Sequence, residues 1–600
     1  MMQDAETLVA LVQRCMAGPE RPVLAERTGG AFVTTSNTTL MRHVDAVAMA
    51  LLRRGLQGGD RVALMSPNRI DWIVANFAIQ RAGGVTVPLY PTQALDHVQF
   101  IVDDSGARFF FIDSTAALRR LEDGGVRLPE VLIFDDREGG GLVSLEQEGA
   151  AAAMAFAKLL AQRSRDISPN DLAVLIYTSG TTGVPKGVML SHANIATNAT
   201  TGFERVSDIL LEGDPVVSVL PWAHIYEHTN LFGLFLRHAL IYVCHSPDEL
   251  LTDLQEVRPV AFFGVPRIFE RVLAGITAKA KAQGGLRARL VPWALRVGRN
   301  TMRATIDGGA NGPLKLQYAL AKRLVLSKIA PALGLDRVKF IVSGSAPLHL
   351  DIALTLAAAG ITVLEGYGLT ECSPVVCVNS PHRYRLGTVG FPIAGVEVKL
   401  ADDGELFVRG PNVMRGYFHD AAATAAVMHD GWLATGDIAS IDADGFIRIV
   451  DRKKELFKTS GGKFIAPGRV ESAIMRSPFV NQVMVLGNGR PHAMALVSPN
   501  WPLVRRELGI DEAVANAEAA VLPNVRDFMA AQAVANTRDL AAYEQIRWVG
   551  LLPRDLSIEG NELSPTLKIR RRVVELRYAD LIERTYAEAQ LRADSRAIPA

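Results

Sequence analysis

The sequence predicts an α/β protein built on parallel sheets, with a smaller C-terminal domain behind it. Three observations lead there. Short apolar strands alternate with helical periodicity over residues 39–134, the pattern of parallel sheets covered on both faces. From Gly387 the apolar period changes to two, with Asp-Gly turns between the runs, which reads as a small antiparallel β subdomain. At Asp451-Arg-Lys-Lys-Glu455 the composition turns charged, and the last domain boundary is placed there. The chain is too long for one core: at roughly 150 residues per domain, about three to five units are expected.

In chain order, helical spacing runs over 39–56 with Ser36 and Thr38 as caps. Strands follow at 61–65, 85–89, 108–112 and 131–134, with helices at 72–82 and 95–104 between them. Residues 137–170 read as a spacer, with a flexible turn at Gly139-Gly-Gly141 and a helix over 150–161. The run 172–177 is a buried strand. Strand 216–220 ends at Pro221-Trp-Ala-His224-Ile-Tyr-Glu227, and strand 261–265 at Pro266-Arg267. Strand 339–342 enters Ser343-Gly-Ser-Ala-Pro347, and strand 362–364 enters Glu365-Gly-Tyr-Gly-Leu-Thr-Glu371. Hairpin runs then carry Val396, Val398, Leu400, Leu406 and Val408, and 447–450 follows Asp444-Gly445. Asp442, Asp444 and Gly445 faintly resemble a calcium loop; a bare hairpin turn is the stronger reading. The last segment holds a helix at 470–475, strands at 482–486 and 493–497, and helices in the 500s. The charged Leu567-Lys-Ile-Arg-Arg-Arg572 comes just before the final helix.

Bulk chemistry narrows the function. Of the 600 residues 49% are apolar and 21% charged, ordinary for a soluble globular protein. The net charge of +1 gives the whole chain no reason to bind a polyanion, and no nucleic-acid partner is expected. Cys15, Cys244, Cys372 and Cys377 are scattered, without metal spacing or a disulfide framework, which fits a reducing cytoplasm. The start, Met1-Met-Gln-Asp-Ala-Glu6, lacks a basic segment and an apolar core, so no secretory signal is expected. The longest apolar stretch, 231–244, is broken by Arg237 and His238, so no membrane-spanning helix is expected. Residues 271–328 carry many Lys and Arg against a lone Asp307, interleaved with Leu290, Val291, Trp293, Leu295 and Val297. Such a segment can lie on an anionic membrane as a peripheral contact, or pack as a solvated helical face on the body.

The chemistry concentrates in Leu175-Ile-Tyr-Thr-Ser-Gly-Thr-Thr-Gly-Val-Pro-Lys-Gly187. Gly180 and Gly183 allow positive φ and close approach to a ligand. Their N–H groups, with the hydroxyls of Thr178, Ser179, Thr181 and Thr182, can wrap an anion, and Lys186 adds positive charge. A Walker A loop is excluded, because Pro185 stands where its second glycine belongs and Gly187 where its Ser or Thr belongs. A plain surface turn is the other reading of such a loop. In open α/β sheets ligands bind beyond the carboxyl ends of the strands, so 178–187, 221–227, 343–347 and 365–371 are expected to line one cleft.

The thirteen-residue string resembles the signature loop of AMP-forming adenylating enzymes. Motifs at 177–187, 343–347, 366–371, Thr435-Gly-Asp437, 451–454 and Pro565-Thr-Leu-Lys568 occur in the order found in AMP-forming acyl-CoA synthetases, over nearly the whole chain. The resemblance implies a large N-terminal domain, 1–450, of two αβα-type sheet subdomains and a small β-barrel-like subdomain. A smaller mobile α+β domain, 451–600, would follow a hinge near 451–454 with Lys454 at the hinge position.

ATP, Mg²⁺ and CoA are the implied cofactors and co-substrates. Thr178, Ser179, Gly180, Thr181, Thr182, Gly183 and Lys186 would hold the β- and γ-phosphates. Gly344, Ser345, Ala346, Gly366, Tyr367 and Gly368 would border the adenine, with Tyr367 as a stacking face. Thr370 would touch the α-phosphate and Glu371 would hold Mg²⁺. Asp437 would accept the ribose hydroxyls, backed by Arg452.

Lys568 would stand between the attacking carboxylate and the phosphate during adenylation. For the thiol step it would withdraw, and the loop of Lys458, Gly461 and Gly462 would enter. His224, beside the acyl carboxylate, and the segment Val265-Pro-Arg-Ile-Phe-Glu-Arg271 resemble the long-chain fatty-acyl branch. His228 stands where some long-chain enzymes carry an aromatic gate, so no gate is transferred. The implied activity is a long-chain fatty acid–CoA ligase. A ligase loading an acyl-carrier protein and a non-catalytic acyl-binding homologue remain open at this point, as do chain length and oligomeric state.

Overall fold

The structure is a computed structural model that describes residues 6–135, 141–179, 184–306, 308–564 and 568–597. It divides into two compact units. One holds Met1–Lys399, Phe407–Thr435 and Ile441–Arg448; the other holds Leu400–Leu406, Gly436–Ser440 and Ile449–Ala600.

The first unit rests on two sheets. A seven-stranded sheet runs in the order Gly416–Tyr417, Pro185–Ser191, Leu172–Ser179, Val85–Leu89, Arg61–Met65, Phe109–Ser114, Glu130–Asp135. Its last five strands are parallel and the first two antiparallel to their neighbours. A nine-stranded sheet has at its centre the parallel strands Val363–Gly368, Phe340–Ser343, Ala261–Gly264, Pro215–Ser218 and Leu240–Val243. Strands Val85–Leu89, Ala261–Gly264 and Phe340–Ser343 are buried at every residue. They are largely apolar, with Thr86 and Ser343 as the polar exceptions, as expected where helices cover both faces of a parallel sheet.

Several expectations change. Residues 137–170 are no spacer: Gly141–Asp166 is one 26-residue helix, with Leu142, Leu145, Ala152 and Leu160 buried. It crosses helix Asn37–Arg53 at Gly149, where a Cβ would sit 1.7 Å from the Ala46 carbonyl oxygen. The turn expected at Gly139-Gly-Gly141 lies largely outside the described residues. A helix at Leu8–Met16 and a hairpin of Pro22–Thr28 with Ala31–Ser36 add to the sequence reading. The hairpin's signal was present in Gly29-Gly30, both at positive φ, the two-residue turn that matches strand twist.

The basic segment forms three helices, Pro266–Gln283, Gly285–Ile306 and Gly312–Leu324. One face of the second is buried through Ala294, Leu295, Val297, Gly298 and Thr301. Leu286 and Ile306 on the second helix and Leu316 and Leu320 on the third are exposed, as are Arg287, Arg289, Arg296, Lys315 and Lys322. No helix among the described residues is long and apolar enough to cross a membrane.

Five strands, Glu397–Leu400, Glu405–Arg409, Met428–His429, Trp432–Ile441 and Ile447–Arg452, make the small β sheet expected after residue 387. The faint calcium loop is a hairpin turn, with Gly445 N–H on the Asp442 carbonyl at 2.9 Å and Arg385 paired with both Asp442 and Asp444.

In the second unit, alternation along Val480–Leu486 and Met494–Pro499 builds two cores on one small sheet. Val483, Val485, Ala495 and Val497 face Ile474, Val504 and Met529. Met484, Leu486, Met494 and Leu496 face Val574, Ile582 and Tyr586.

Gly149→Ala should lower the thermal midpoint of the first unit, at a cost of about 1–3 kcal/mol or more, since the clash is with backbone. Ala46→Gly should not rescue it, because the obstructing atom is the Ala46 carbonyl. Thermal unfolding of the two single variants and the double variant tests this.

Candidate active site

Strands Pro215–Ser218, Ala261–Gly264, Phe340–Ser343 and Val363–Gly368 are consecutive parallel neighbours. The loops that follow them therefore emerge along one edge of one sheet, and 221–227, 343–347 and 365–371 come together there. Gly344 packs under the Tyr226 ring, and Ser345 sits at φ 67 in the left-handed region. Ala346 is exposed, and Tyr367 is half-buried opposite Cys377. At Gly368 a Cβ would lie 2.1 Å from the Pro374 carbonyl, so glycine alone permits the turn that carries Thr370 and Glu371.

The signature loop belongs to the other sheet. It joins two antiparallel strands, with Thr178 opposite Lys186 and Tyr177 opposite Gly187. Pro185, which excluded the Walker A pattern, opens the second strand, where its missing N–H costs no ladder bond. Gly180, Thr181, Thr182, Gly183 and the side chain of Ser179 lie outside the described residues.

Residues 411–418 bring the hairpin to Glu371. Met414 N–H donates to the Glu371 carbonyl at 2.8 Å and Arg415 N–H to the Met189 carbonyl at 3.0 Å. Phe418 N–H donates to the Gly187 carbonyl at 2.7 Å. Tyr417 Oη donates to Glu371 Oε1 at 2.9 Å, and Lys186 Nζ lies 5.0 Å from the centroid of the Tyr417 ring. Asn412 Nδ2 reaches the carbonyls of Cys372 and Val375 at 3.1 and 3.0 Å, and Asn198 Nδ2 reaches the same pair. Among the described residues no group of three His, Cys, Asp or Glu is placed to hold a metal. A single carboxylate with one oxygen left by Tyr417 suits Mg²⁺, which takes one or two protein carboxylates and fills its shell with phosphate and water.

The histidines separate by burial. His224 caps helix Ile225–Leu236, its Nδ1 accepting from Tyr226 N–H at 3.1 Å, and its ring is half-buried. Glu227 is buried, accepting from Ser218 Oγ at 2.5 Å and Asn230 Nδ2 at 3.1 Å. Burial pushes it up to about 7 against the pull of those two hydrogen bonds. Trp222 Nε1 donates to the same Ser218 oxygen at 3.0 Å, so Glu227 ties down the loop that carries His224. His228 is wholly buried against Trp72 and Phe232, and burial takes it down to about 4, a neutral core histidine.

In the second unit, Asp437 is buried and Arg452 Nε pairs with its Oδ1 at 2.9 Å. Lys454 is exposed in the turn where Glu455 and Leu456 N–H both donate to the Arg452 carbonyl. Lys458 lies in the hairpin of Phe457–Lys458 and Phe464–Ile465, with Nζ 5.4 Å from the Phe464 ring. Gly462 turns that hairpin at φ +79, beside Gly461.

Lys568 is exposed, its N–H on Ser564 Oγ at 3.0 Å, while 565–567 lie outside the described residues. Two ion clusters brace its loop. Glu562, fully buried, accepts from Arg554 and Arg577 at 2.8 and 2.9 Å. Burial pushes its carboxyl up, but these guanidinium bonds outweigh that and hold it below the usual range. Arg571 reaches Glu471 at 2.6 Å and Glu455 at 3.4 Å. The sequence reading missed Tyr417, Asn198, Asn412 and Glu562. Tyr417, Asn198 and Asn412 act through partners far along the chain, Glu562 through the nearer Arg554 and Arg577, and no local pattern marks any of them.

Family comparison now adds to this geometry. Residues 11–418 match the model described as AMP-binding enzyme, and 455–590 match that of the AMP-binding enzyme C-terminal domain. The chain is similar to the long-chain-fatty-acid–CoA ligase FadD15 of Mycobacterium tuberculosis, at 33% identity over 95% of both chains. It is 32% identical to the peroxisomal long chain acyl-CoA synthetase 7 of Arabidopsis thaliana, over 90% of this chain and 80% of that one. In fold it resembles the A domain of a carboxylic acid reductase from Segniliparus rugosus, solved with AMP and a co-purified carboxylic acid. The TM-score is 0.74 at 22% identity, covering 98% of this chain and 95% of that one.

Glu227 yields a pH prediction. Between the ordinary carboxylate range and about pH 7 the folded chain keeps a proton that the unfolded chain has lost, so stability falls as pH rises through that window. Glu227→Gln removes the titration. Its stability relative to wild type should improve from about pH 5 to about pH 8. Denaturant unfolding at the two pH values checks this; an unchanged difference would refute it.

Proposed function

This chain belongs to the AMP-binding enzymes, and from that premise we propose that it works as a long-chain fatty acid–CoA ligase using the residues assembled above. It activates a fatty acid with ATP to acyl-AMP and pyrophosphate, then transfers the acyl group to CoA and releases AMP. The observation that carries the site reading is the meeting of Lys186, Tyr417 and Glu371 beside the carboxyl edge of the nine-stranded sheet.

The roles follow from charge. Thr178, Ser179, Thr181, Thr182 and Lys186 hold the β- and γ-phosphates, with Gly180 and Gly183 letting the backbone approach. Gly344, Ser345, Ala346, Gly366, Tyr367 and Gly368 border the adenine, and Thr370 meets the α-phosphate. Asp437 accepts from the ribose hydroxyls while Arg452 holds its carboxylate in place. Glu371 holds Mg²⁺, which when bound neutralises charge on the phosphate oxygens.

A fatty carboxylate attacking the α-phosphorus brings two anions together. Lys568 stands between them, and pyrophosphate leaves with the P–O bond electrons. The mixed anhydride then meets the CoA thiolate; the carbonyl–oxygen bond breaks and AMP departs. The loop of Lys458, Gly461 and Gly462 serves this second step, with Lys454 as the pivot between a 1–450 domain and a 451–600 domain. His224 lies beside the acyl carboxylate.

A membrane face accompanies this chemistry. The exposed Leu286, Ile306, Leu316 and Leu320 among arginines and lysines suit an anionic bilayer, the source of a long-chain acid.

Two experiments test these assignments. Lys568→Ala should slow adenylate formation about 10²–10³-fold and spare thioester formation from supplied acyl-AMP. Lys458→Ala and Lys454→Pro should do the reverse. Half-reactions measured separately, with free CoA against an acyl-carrier protein as acceptor, check both the roles and the acceptor; equal slowing of both steps in all three variants would refute the pivot. Neutralising Arg287, Arg289, Arg296 and Arg299 should weaken co-sedimentation with anionic vesicles at low salt, by about 1 kcal/mol per charge. Unchanged sedimentation would leave these helices as a solvated face.

A further inference from the structure

We propose that Tyr417 is a positioning residue that sets Glu371 for its metal and Lys186 for the phosphates through one side chain. The inference rests on the reading that Glu371 holds Mg²⁺. The phenol does two separable things. Its hydroxyl donates to Glu371 Oε1 at 2.9 Å, which stops the carboxylate turning and directs Oε2 away from the contact. Its ring lies 5.0 Å from Lys186 Nζ, so the ammonium is held by attraction to the π face rather than by a carboxylate that would cancel its charge.

The ring itself is fixed by backbone on both sides. Tyr417 pairs with Val188 in the strand ladder, and its N–H donates to Thr424 Oγ1 at 2.8 Å. The next residue, Phe418, bonds the Gly187 carbonyl, one residue past Lys186. Glu371 is fixed in turn by Met414 N–H on its carbonyl. A shift of the signature hairpin against the Glu371 turn therefore has to break the phenol contact. Tyr417 couples the cation-holding and anion-holding halves of the site, and a salt bridge between Lys186 and Glu371 would instead consume both charges. The side chain touches the two groups that meet substrate and metal; it has no assigned contact with the reacting atoms.

Phenylalanine separates hydroxyl from ring. Metal binding is read with Mn²⁺ as the probe, by electron paramagnetic resonance on the ATP-bound enzyme, and ATP binding without metal by calorimetry. Tyr417→Phe should raise the Mn²⁺ dissociation constant about tenfold, the loss expected for a hydrogen bond to a charged group. Metal-free ATP affinity should stay at the wild-type value. Tyr417→Leu should weaken both. In a Glu371→Gln background Tyr417→Phe should have no further effect on Mn²⁺. A Tyr417→Phe constant within twofold of wild type, or equal weakening in both backgrounds, overturns the inference while Glu371→Gln still reports on the metal reading by itself. If Glu371→Gln leaves Mn²⁺ binding unchanged, both fall together.

Discussion

Glu371 sits in the turn after a strand of the nine-stranded sheet and Lys186 on a strand of the seven-stranded sheet, and residues 411–418 bind both. That segment takes a strand place beside Pro185–Ser191 and hydrogen-bonds the Glu371 turn through Met414 and Asn412. The segment 178–187 is rich in glycine and hydroxyls, the composition that the proposed phosphate-holding role calls for. Here its two arms are strands of a sheet, and its cationic side chain is steered from outside by an aromatic ring. The positive charge stays available because its neighbour is a quadrupole and not an anion.

Burial sorts the remaining ionisable groups into structural and chemical. Glu227 and His228 follow His224 closely in sequence, yet both are sealed in the core, and burial disfavours the charged form of each. They set the loop and helix start that carry His224. The second unit works differently. There, buried carboxylates at Asp437 and Glu562 keep their partners: Arg452 on one, Arg554 and Arg577 on the other. An anion held by arginine keeps a fixed direction. That suits Asp437 for a ribose diol, and Glu562 for bracing the chain just before Ser564 and Lys568.

The parallel strands were legible because a sheet covered on both faces needs largely apolar runs, and 61–65 and 85–89, apart from Arg61 and Thr86, are such runs with the bounds expected. Of the four loops expected to line one cleft, 221–227, 343–347 and 365–371 follow neighbouring parallel strands of one sheet, whereas 178–187 lies in the other sheet. Of the helix Gly141–Asp166 only 150–161 was legible, and its close approach to Asn37–Arg53 at Gly149 and Ala46 carries little apolar signal. The second arm of the signature hairpin was hidden by Pro185 and Lys186, poor strand formers that the first positions of a strand tolerate. Tyr417 was not legible at all. Its meaning lies in Glu371, 46 residues away, and in a strand pairing that no local period announces.

The central claim is that a fatty carboxylate oxygen attacks the α-phosphorus and later leaves with AMP. Turnover of a long-chain acid carrying ¹⁸O in both carboxyl oxygens, with CoA and ATP, measures this directly by mass spectrometry of the nucleotide product. The account predicts AMP containing one ¹⁸O and unlabelled pyrophosphate. Release of ADP with ¹⁸O in inorganic phosphate would place the attack at the γ-phosphorus and contradict it.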